Sequence, residues 1–297
     1  MDKEHETLRL RRKVFFTIAS ESNEYEMDII PTSEFLEKLK QKGVDVFTFI
    51  ERKWCFTLPN PPRSWLRTRD KIALLQIATY DAWLKSIGKK TRNMIRKAGK
   101  NGIRTEIAEP NRKLAEGIWK IYNETPIRQE RGFLHYGTSL QAVETNMLLT
   151  KNSTYVVAYR QDELVGFIRL IHGDNITFID QILSLQKYWD KAVNNALVAE
   201  AVQFCAHKGI RWLMYGRMGN HPTLDDFKKN NGFIQFLLTR YYVILTTKGR
   251  VVSMLGLHHD FKDALPQAAK RPLIPIYNWI SRTKMLIRLK TRPKPIT

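Results

Sequence analysis

At 297 residues, with 43% hydrophobic and 11% aromatic residues but only 15 glycines and 12 prolines, the chain can bury a sizeable core and is neither collagen-like nor largely disordered. Its 49 Lys and Arg against 29 Asp and Glu leave a net charge of +20, which implies an anionic partner. No run of 18 apolar residues occurs, the start Met1-Asp2-Lys3-Glu4 is too charged for a signal segment, and Cys55 and Cys205 sit in no CxxC or Cys/His cluster. The expectation is therefore a cytosolic, reduced protein without a membrane span or a structural metal.

Along the first 79 residues the pattern predicts a strand over Lys13–Ile18, a capped helix over Ser33–Lys40, and strands over Val44–Ile50 and Trp54–Leu58, ended by Pro59-Asn60-Pro61-Pro62. From Tyr80 to Ala98, with Gly88 a joint, helical angles set Trp83, Leu84, Ile87, Met94, Ile95 and Ala98 on one side and Lys85, Lys89, Arg92, Arg96, Lys97 and Lys100 on the other. Residues 82–105 contain no acid at all, and neither do residues 264–297, which hold a second basic group. Each is either a surface for phosphates, RNA or acidic lipid or a solvated face.

A strand over Arg104–Ala108 and a helix over Lys113–Asn123 precede an irregular stretch, Thr125–Gly137, whose Arg128, Arg131, His135 and Tyr136 either clamp an acceptor or only order their loop. A helix over Ser139–Leu149 follows. Three hairpin strands, Thr154–Arg160, Leu164–His172 and Ile176–Leu185, then form an antiparallel meander. Beyond the polar turn Gln186–Lys191 come a helix over Ala192–Lys208, a short strand at Ile210–Tyr215, a helix over Pro222–Asn230 and a final strand over Phe233–Leu245. After Gly249, read as a hinge, Ile276–Lys290 has one apolar side with flanking Lys and Arg, a helix fit either for anionic lipid or for docking on its own domain.

This order, with Phe227-Lys228-Lys229-Asn230-Asn231-Gly232-Phe233, resembles the GNAT superfamily of N-acetyltransferases over about residues 104–247. The resemblance implies an α/β (α+β) fold with a mixed, mostly antiparallel sheet and flanking helices, and acyl-coenzyme A (acetyl-CoA) as co-substrate. Its pyrophosphate would lie on a turn and helix N-terminus, which assigns Leu185, Trp189, Lys191, Val193, Asn194 and Asn195 to it. The turn departs from the usual Arg/Gln-x-x-Gly-x-Gly/Ala: Trp189 stands where Arg or Gln is usual, and Asp190, Ala192 and Asn194 where small residues are. Asp81-Ala82-Trp83-Leu84, Lys90–Ala98 and Phe227–Gly232 further resemble the Fem-type branch, which joins two GNAT halves and moves aminoacyl groups from tRNA to cell-wall precursors, although no coiled-coil tRNA arm is discernible. The expected organisation is a reduced first half over 1–100, a transferase half over 101–249 and a basic tail over 250–297.

Acyl transfer to an amine needs a proton acceptor, a stabiliser of the oxyanion and an acid for the leaving group. Asp180 is the candidate base or else a hydrogen-bonded strand-end carboxylate, and Lys228 the candidate cation at the leaving group or else one more exposed lysine. Arg92 and Arg96 join the 128–136 group as acceptor-binding residues, while Asn194 and Asn195 either hold phosphate or cap their helix. The reading is an N-acyltransferase acting on an amino sugar, sugar nucleotide or cell-envelope precursor, with acyl-CoA the expected donor and aminoacyl-tRNA the alternative. From a different class stands an inactive GNAT-like module that binds RNA or anionic membrane.

Overall fold

The computed structural model describes residues 8–12, 15–21, 31–51, 61–128, 131–150, 152–173, 176–219 and 221–256, together with Trp279 and Thr283. In chain order these form β1 (Leu8–Arg12), β2 (Thr17–Glu21), α1 (Ser33–Gln41), β3 (Val46–Glu51), β4 (Leu66–Gln76), α2 (Tyr80–Ser86), α3 (Lys89–Lys100), β5 (Ile103–Ala108), α4 (Arg112–Asn123), β6 (Ile127–Arg128), β7 (Arg131–Gly132), α5 (Leu140–Leu149), β8 (Ser153–Arg160), β9 (Glu163–His172), β10 (Ile176–Ser184), α6 (Val193–His207), β11 (Trp212–Arg217), α7 (Pro222–Asn230), β12 (Ile234–Ile244) and α8 (Thr247–Met254). A 3₁₀ turn, Gln186–Lys191, joins β10 to α6.

The main sheet has the order β1-β2-β3-β12-β4-β11-β10-β9-β8-β5, and β6 with β7 makes a separate small hairpin. Only β2 with β3 and β10 with β11 run parallel. This is the mixed, mostly antiparallel sheet with flanking helices that the sequence predicts. Strands from both sides of residue 100 alternate in it, since β12 lies between β3 and β4 and β4 also pairs β11.

The meander is buried on both faces, which is why its strands read as nearly continuous apolar runs. Val156, Ala158, Ile168 and Leu170 join the core of α6, whereas Tyr155, Val157 and Phe167 join that of α4 and α5. Each fully buried side chain of this size contributes about 2 kcal/mol.

α2 and α3 divide at Gly88, which is extended at φ −63°, ψ 153°, and Thr79 caps α2 by accepting from the Ala82 N–H. As their periodicity requires, Trp83, Ile87 and Ala98 are buried while Lys85, Lys89, Arg96, Lys97 and Lys100 are exposed. Trp83 Nε1 donates to the Asn231 carbonyl at 2.9 Å, and the Thr91 hydroxyl to that of Asn230 at 3.0 Å, which ties the pair to the end of α7. Gly232 is needed there twice over. Its φ is +88°, and a Cβ would lie 3.3 Å from both Trp83 Nε1 and Ile87.

Several expectations need correction. The strand predicted at Lys13–Ile18 overlaps β2, Thr17–Glu21, only at Thr17 and Ile18; Lys13 and Val14 lie outside the described residues. β4 is an eleven-residue strand where none is predicted. Gly249 is no hinge: it is buried inside α8, and a Cβ on it would stand 2.2 Å from the Asp45 carbonyl oxygen. Thr246 also donates to the Asp45 carboxylate at 2.7 Å, so α8 is fastened to the start of β3. The expected Trp54–Leu58 strand, Cys55, and the Ile276–Lys290 helix apart from Trp279 and Thr283 lie outside the described residues.

Candidate active site

β10 and β11 share register only over Ile176–Phe178 and Trp212–Met214, and beyond those residues they no longer pair. Ligand crevices form past the carboxyl ends of such parallel strands, and from that end of β10 the chain passes through the 3₁₀ turn into α6. A bulge shapes one wall. Ile179 stands opposite Leu170 and Gln181 opposite Arg169, so Asp180 is the extra residue, and a bulge of this kind re-aims its side chains.

Both Asp180 and Gln181 thereby meet the polar groups on the α4/α5 side. Arg169 Nε donates to Asp180 Oδ2 at 2.7 Å, and its guanidinium also donates to Asn146 Oδ1 of α5. Its ion pair with Asp180 falls on the same Oδ2, which leaves Oδ1 to accept a proton. The Tyr122 hydroxyl donates to Gln181 Oε1 at 2.7 Å, and Gln181 Nε2 lies 2.9 Å from His135 Nε2. With the amide oxygen taken by Tyr122, the amide nitrogen donates, His135 Nε2 accepts, and the imidazole proton sits on Nδ1.

The His135 ring stacks on Tyr122 with centroids 4.5 Å apart. Burial, reinforced by the Arg169 charge and opposed by Asp180, holds this histidine below its usual value, so it is mainly neutral at pH 7. Burial pushes the Tyr122 and Tyr155 phenols up, which keeps them as donors. The cluster thus offers the Asp180 Oδ1 oxygen for a proton and, in the His135 Nδ1–H and the second Gln181 N–H, neutral donors for a developing oxyanion.

Of the residues expected from sequence, the structure brings Asp180 and His135 together here. Arg128 is buried and spent on the fold: it donates to the carbonyls of Ser184 and Ile121, both at 2.8 Å, and to Glu124 Oε2 at 3.0 Å. It orders the loop and does not clamp an acceptor. Arg131 stands opposite Arg128 in the β6/β7 hairpin, and Tyr136 is half-buried with its N–H on the Phe133 carbonyl. Arg92 is corrected as well, because its guanidinium caps the last carbonyls of α2, at 3.3 Å from that of Lys85, whereas Arg96 remains exposed.

Lys228 is neither an exposed lysine nor part of the cleft. It is 2% exposed, donates from Nζ to the Arg217 carbonyl at 2.7 Å and lies 4.7 Å from the Tyr215 ring centroid. Its neighbours Leu224 and Phe227 pack into the core of α6, on the face of the sheet away from Tyr122 and Phe167. Burial, opposed by Asp225, pulls its ammonium down to about 8.

The turn expected to hold a pyrophosphate is largely filled by the protein itself. The Gln186 N–H donates to the Glu124 carboxylate at 2.8 and 2.9 Å, and the N–H groups of Tyr188 and Ala192 go to the carbonyls of Leu185 and Trp189. Leu185 and Val193 are core residues, and Trp189 is 49% exposed. Lys191 pairs with Asp190 at 2.7 Å, while Asn195 reaches Asn231 at 3.5 Å. Ala192 is left-handed at φ +60°, where a glycine would be unstrained. Two features oppose a phosphate: the Asp190 carboxylate, and the buried Asn194 Oδ1, an acceptor with no partner. A coenzyme A pyrophosphate does not fit this turn as it stands.

On the outer side of the same turn a cavity of about 390 Å³ is lined by Lys113, Lys120 and Lys187 against Glu116, Glu124, Asp162 and Glu163; its acids outnumber its cations, which does not suit an anion. Among the described residues no group of His, Cys, Asp and Glu could hold a metal, and none of their helices is long and apolar enough to cross a membrane. Cys205 is buried with its thiol pushed up to about 12, too high for a nucleophile.

Arg169, Gln181, Tyr122 and Asn146 were not foreseen from sequence. A signal exists for two of them: Arg169 and Gln181 interrupt the otherwise apolar runs Gly166–Ile171 and Thr177–Leu183.

Residues 115–233 match the model of the Acetyltransferase (GNAT) family, a segment that runs from α4 to the start of β12 and includes the Asp180 cluster. The chain's fold is that of a FemX crystal structure (TM-score 0.58, 11% identity, covering 83% of this chain and 85% of that one). It is likewise that of L-PGS from Bacillus licheniformis (TM-score 0.53, 16% identity, 79% and 80%) and of the C-terminal domain of a putative lysylphosphatidylglycerol synthetase from Agrobacterium fabrum (TM-score 0.56, 13% identity, 86% and 86%). No curated protein matches the chain in sequence.

Proposed function

We propose that the chain transfers an aminoacyl group from tRNA to an amine on an amino sugar, sugar nucleotide or cell-envelope precursor. The observation that carries this reading is the basic face of α3, with Arg96, Lys97 and Lys100 exposed, laid beside an α6 whose preceding turn has little room for a pyrophosphate. The charge of Lys97 reaches Asp190 in that turn, so a polyanion on α3 would end next to the crevice. Likeness to FemX and to a lysylphosphatidylglycerol synthetase over most of each chain supports the choice of an aminoacyl donor over acyl-CoA. Both the tRNA and the acceptor are proposals, as are a cytoplasmic location and contact of the basic tail with anionic membrane.

In the reaction the acceptor nitrogen attacks the ester carbonyl, an amide C–N bond forms, and the C–O bond to the terminal ribose breaks. The neutral amine attacks, Asp180 Oδ1 takes the proton from the nitrogen of the adduct, and the same proton passes to the ribose oxygen as it leaves, so Asp180 ends as the carboxylate it began as. Replacing Arg96→Glu together with Lys97→Glu is expected to weaken tRNA binding about 10²-fold at moderate salt and to reduce the slope of log K against log salt by about 2. Filter binding across a salt series measures both. An unchanged slope, or a rise in Tm with coenzyme A that tRNA does not produce, would return the donor to acyl-CoA.

A further inference from the structure

We propose that a strip of β4 that the other described residues leave exposed binds a phosphate-bearing ligand at a place separate from the transfer crevice. Along β4, Arg67, Arg69 and Lys71 share one face with Ala73 and Leu75, which belong to the core of α2 and α6. Across from them β12 sets Tyr241 against Arg67, Thr239 against Arg69 and Leu237 against Lys71. Tyr241 in turn belongs to the core of α1, with Phe47 and Phe49. The strip therefore lies between two helix-covered cores, and a cavity of about 290 Å³ opens there against Arg67, Arg69, Thr239 and Tyr241.

Alternate strand residues stand about 6.7 Å apart, so three cations line one floor at that spacing. Arg67 is held in place by donating to the Pro61 carbonyl at 3.1 Å and lying 5.6 Å from the Tyr241 ring centroid. Arg69 and Lys71 are exposed, and neither side chain makes a hydrogen bond or ion pair among the described residues. Among the described residues Glu51 is an acid on this side; it is buried and accepts from the Tyr241 hydroxyl at 3.3 Å. The opposite face of the same strand behaves otherwise: there Arg217 and Arg240 both pair with Asp70.

β4 thus neutralises its inward charges and leaves three outward ones side by side, where they repel until an anion bridges them. Two guanidinium forks and a lysine suit phosphoryl oxygens, and Leu237 with the Tyr241 ring supplies an apolar flank for an organic remainder. The ligand class is an organic phosphate or diphosphate, either soluble or presented as a lipid headgroup. The inference does not depend on which donor the transfer crevice uses.

Titration calorimetry of the full chain with inorganic pyrophosphate at low salt tests it. The wild type is expected to bind, Arg69→Ser with Lys71→Ser to weaken binding at least 10-fold, and Arg96→Ser with Lys97→Ser on α3 to leave it within twofold. Sedimentation with phosphatidylcholine vesicles carrying phosphatidic acid separates the sources: loss in the β4 pair alone assigns a lipid headgroup, and no sedimentation despite pyrophosphate binding assigns a soluble phosphate. Should the double variant fail to fold, Arg69→Gln is expected to weaken pyrophosphate binding at least threefold. No binding by the wild type, equal binding by the β4 variants, or binding removed by the α3 pair overturns the proposal.

Discussion

Arg128→Leu is expected to destabilise the protein by about 3 kcal/mol in urea unfolding at pH 7. The guanidinium is buried and closes three contacts at once, on Ser184, Ile121 and Glu124, so its removal leaves two carbonyls and a mostly buried carboxylate without their donor. Breaking such a pair costs about 3–5 kcal/mol, and the lower end applies because Glu124 keeps the Gln186 N–H. Adding Glu124→Gln to Arg128→Leu is expected to cost less than the two single changes combined, since they share one network. Arg128 also faces Phe133, 4.9 Å from the ring centroid, so the variant should loosen the segment that carries His135 and lower activity beyond the loss of folded protein. A change below about 1 kcal/mol would show that the loop is ordered by something else.

Lys228→Met carries the other large effect, and its sign depends on pH. The native ammonium titrates near 8 because of burial, while the unfolded chain's lysine titrates near 10.4. Between these values the unfolded state holds a proton that the native state lacks, so the wild type gains stability as pH rises, by about 3 kcal/mol in all. Below pH 8 the native state holds the buried charge and that gain is absent. Methionine has no such proton: the difference between wild type and variant is expected to grow in favour of the wild type from pH 8 to pH 10. Denaturant unfolding at several pH values measures it. Parallel curves would mean that the lysine keeps an ordinary affinity for its proton, against its 2% exposure.

The stretch from β8 to β12 was legible because its meander, its α6 and its Asn-Asn-Gly stop follow local rules of period and capping. β4 was not. Its first half reads Arg67-Thr68-Arg69-Asp70-Lys71, with no apolar alternation, because one face carries the exposed Arg67, Arg69 and Lys71 and the other sets Asp70 against two arginines; a strand stabilised by ion pairs hides from hydrophobic patterning. Gly249 misled for a related reason. A glycine near a helix start resembles a hinge, and only the approach of Asp45, distant in sequence, shows that it is there to make room.

The site divides the same way. Asp180 and His135 could be named as residue types suited to the chemistry, but their meeting depends on Arg169, Gln181 and Tyr122, which a bulge and a helix bring in from three elements. Arg128, Arg92 and Lys228 have equally suitable chemistry yet turn inward, because a long cation near a helix end or strand end finds backbone carbonyls first. Sequence gives the side chain; the direction in which it points is tertiary.

If aminoacyl groups pass through the Asp180 cluster, single-turnover transfer will show it. Full-length protein is mixed with a tRNA pool charged with radiolabelled amino acids and with glucosamine as the amine acceptor, and amide-bound label is followed over time. The wild type is expected to transfer label only with the acceptor present, and Asp180→Asn to do so about 10²-fold more slowly with tRNA binding unchanged. Charged tRNA that keeps its label, while radiolabelled acetyl-CoA acetylates the same acceptor, would contradict it.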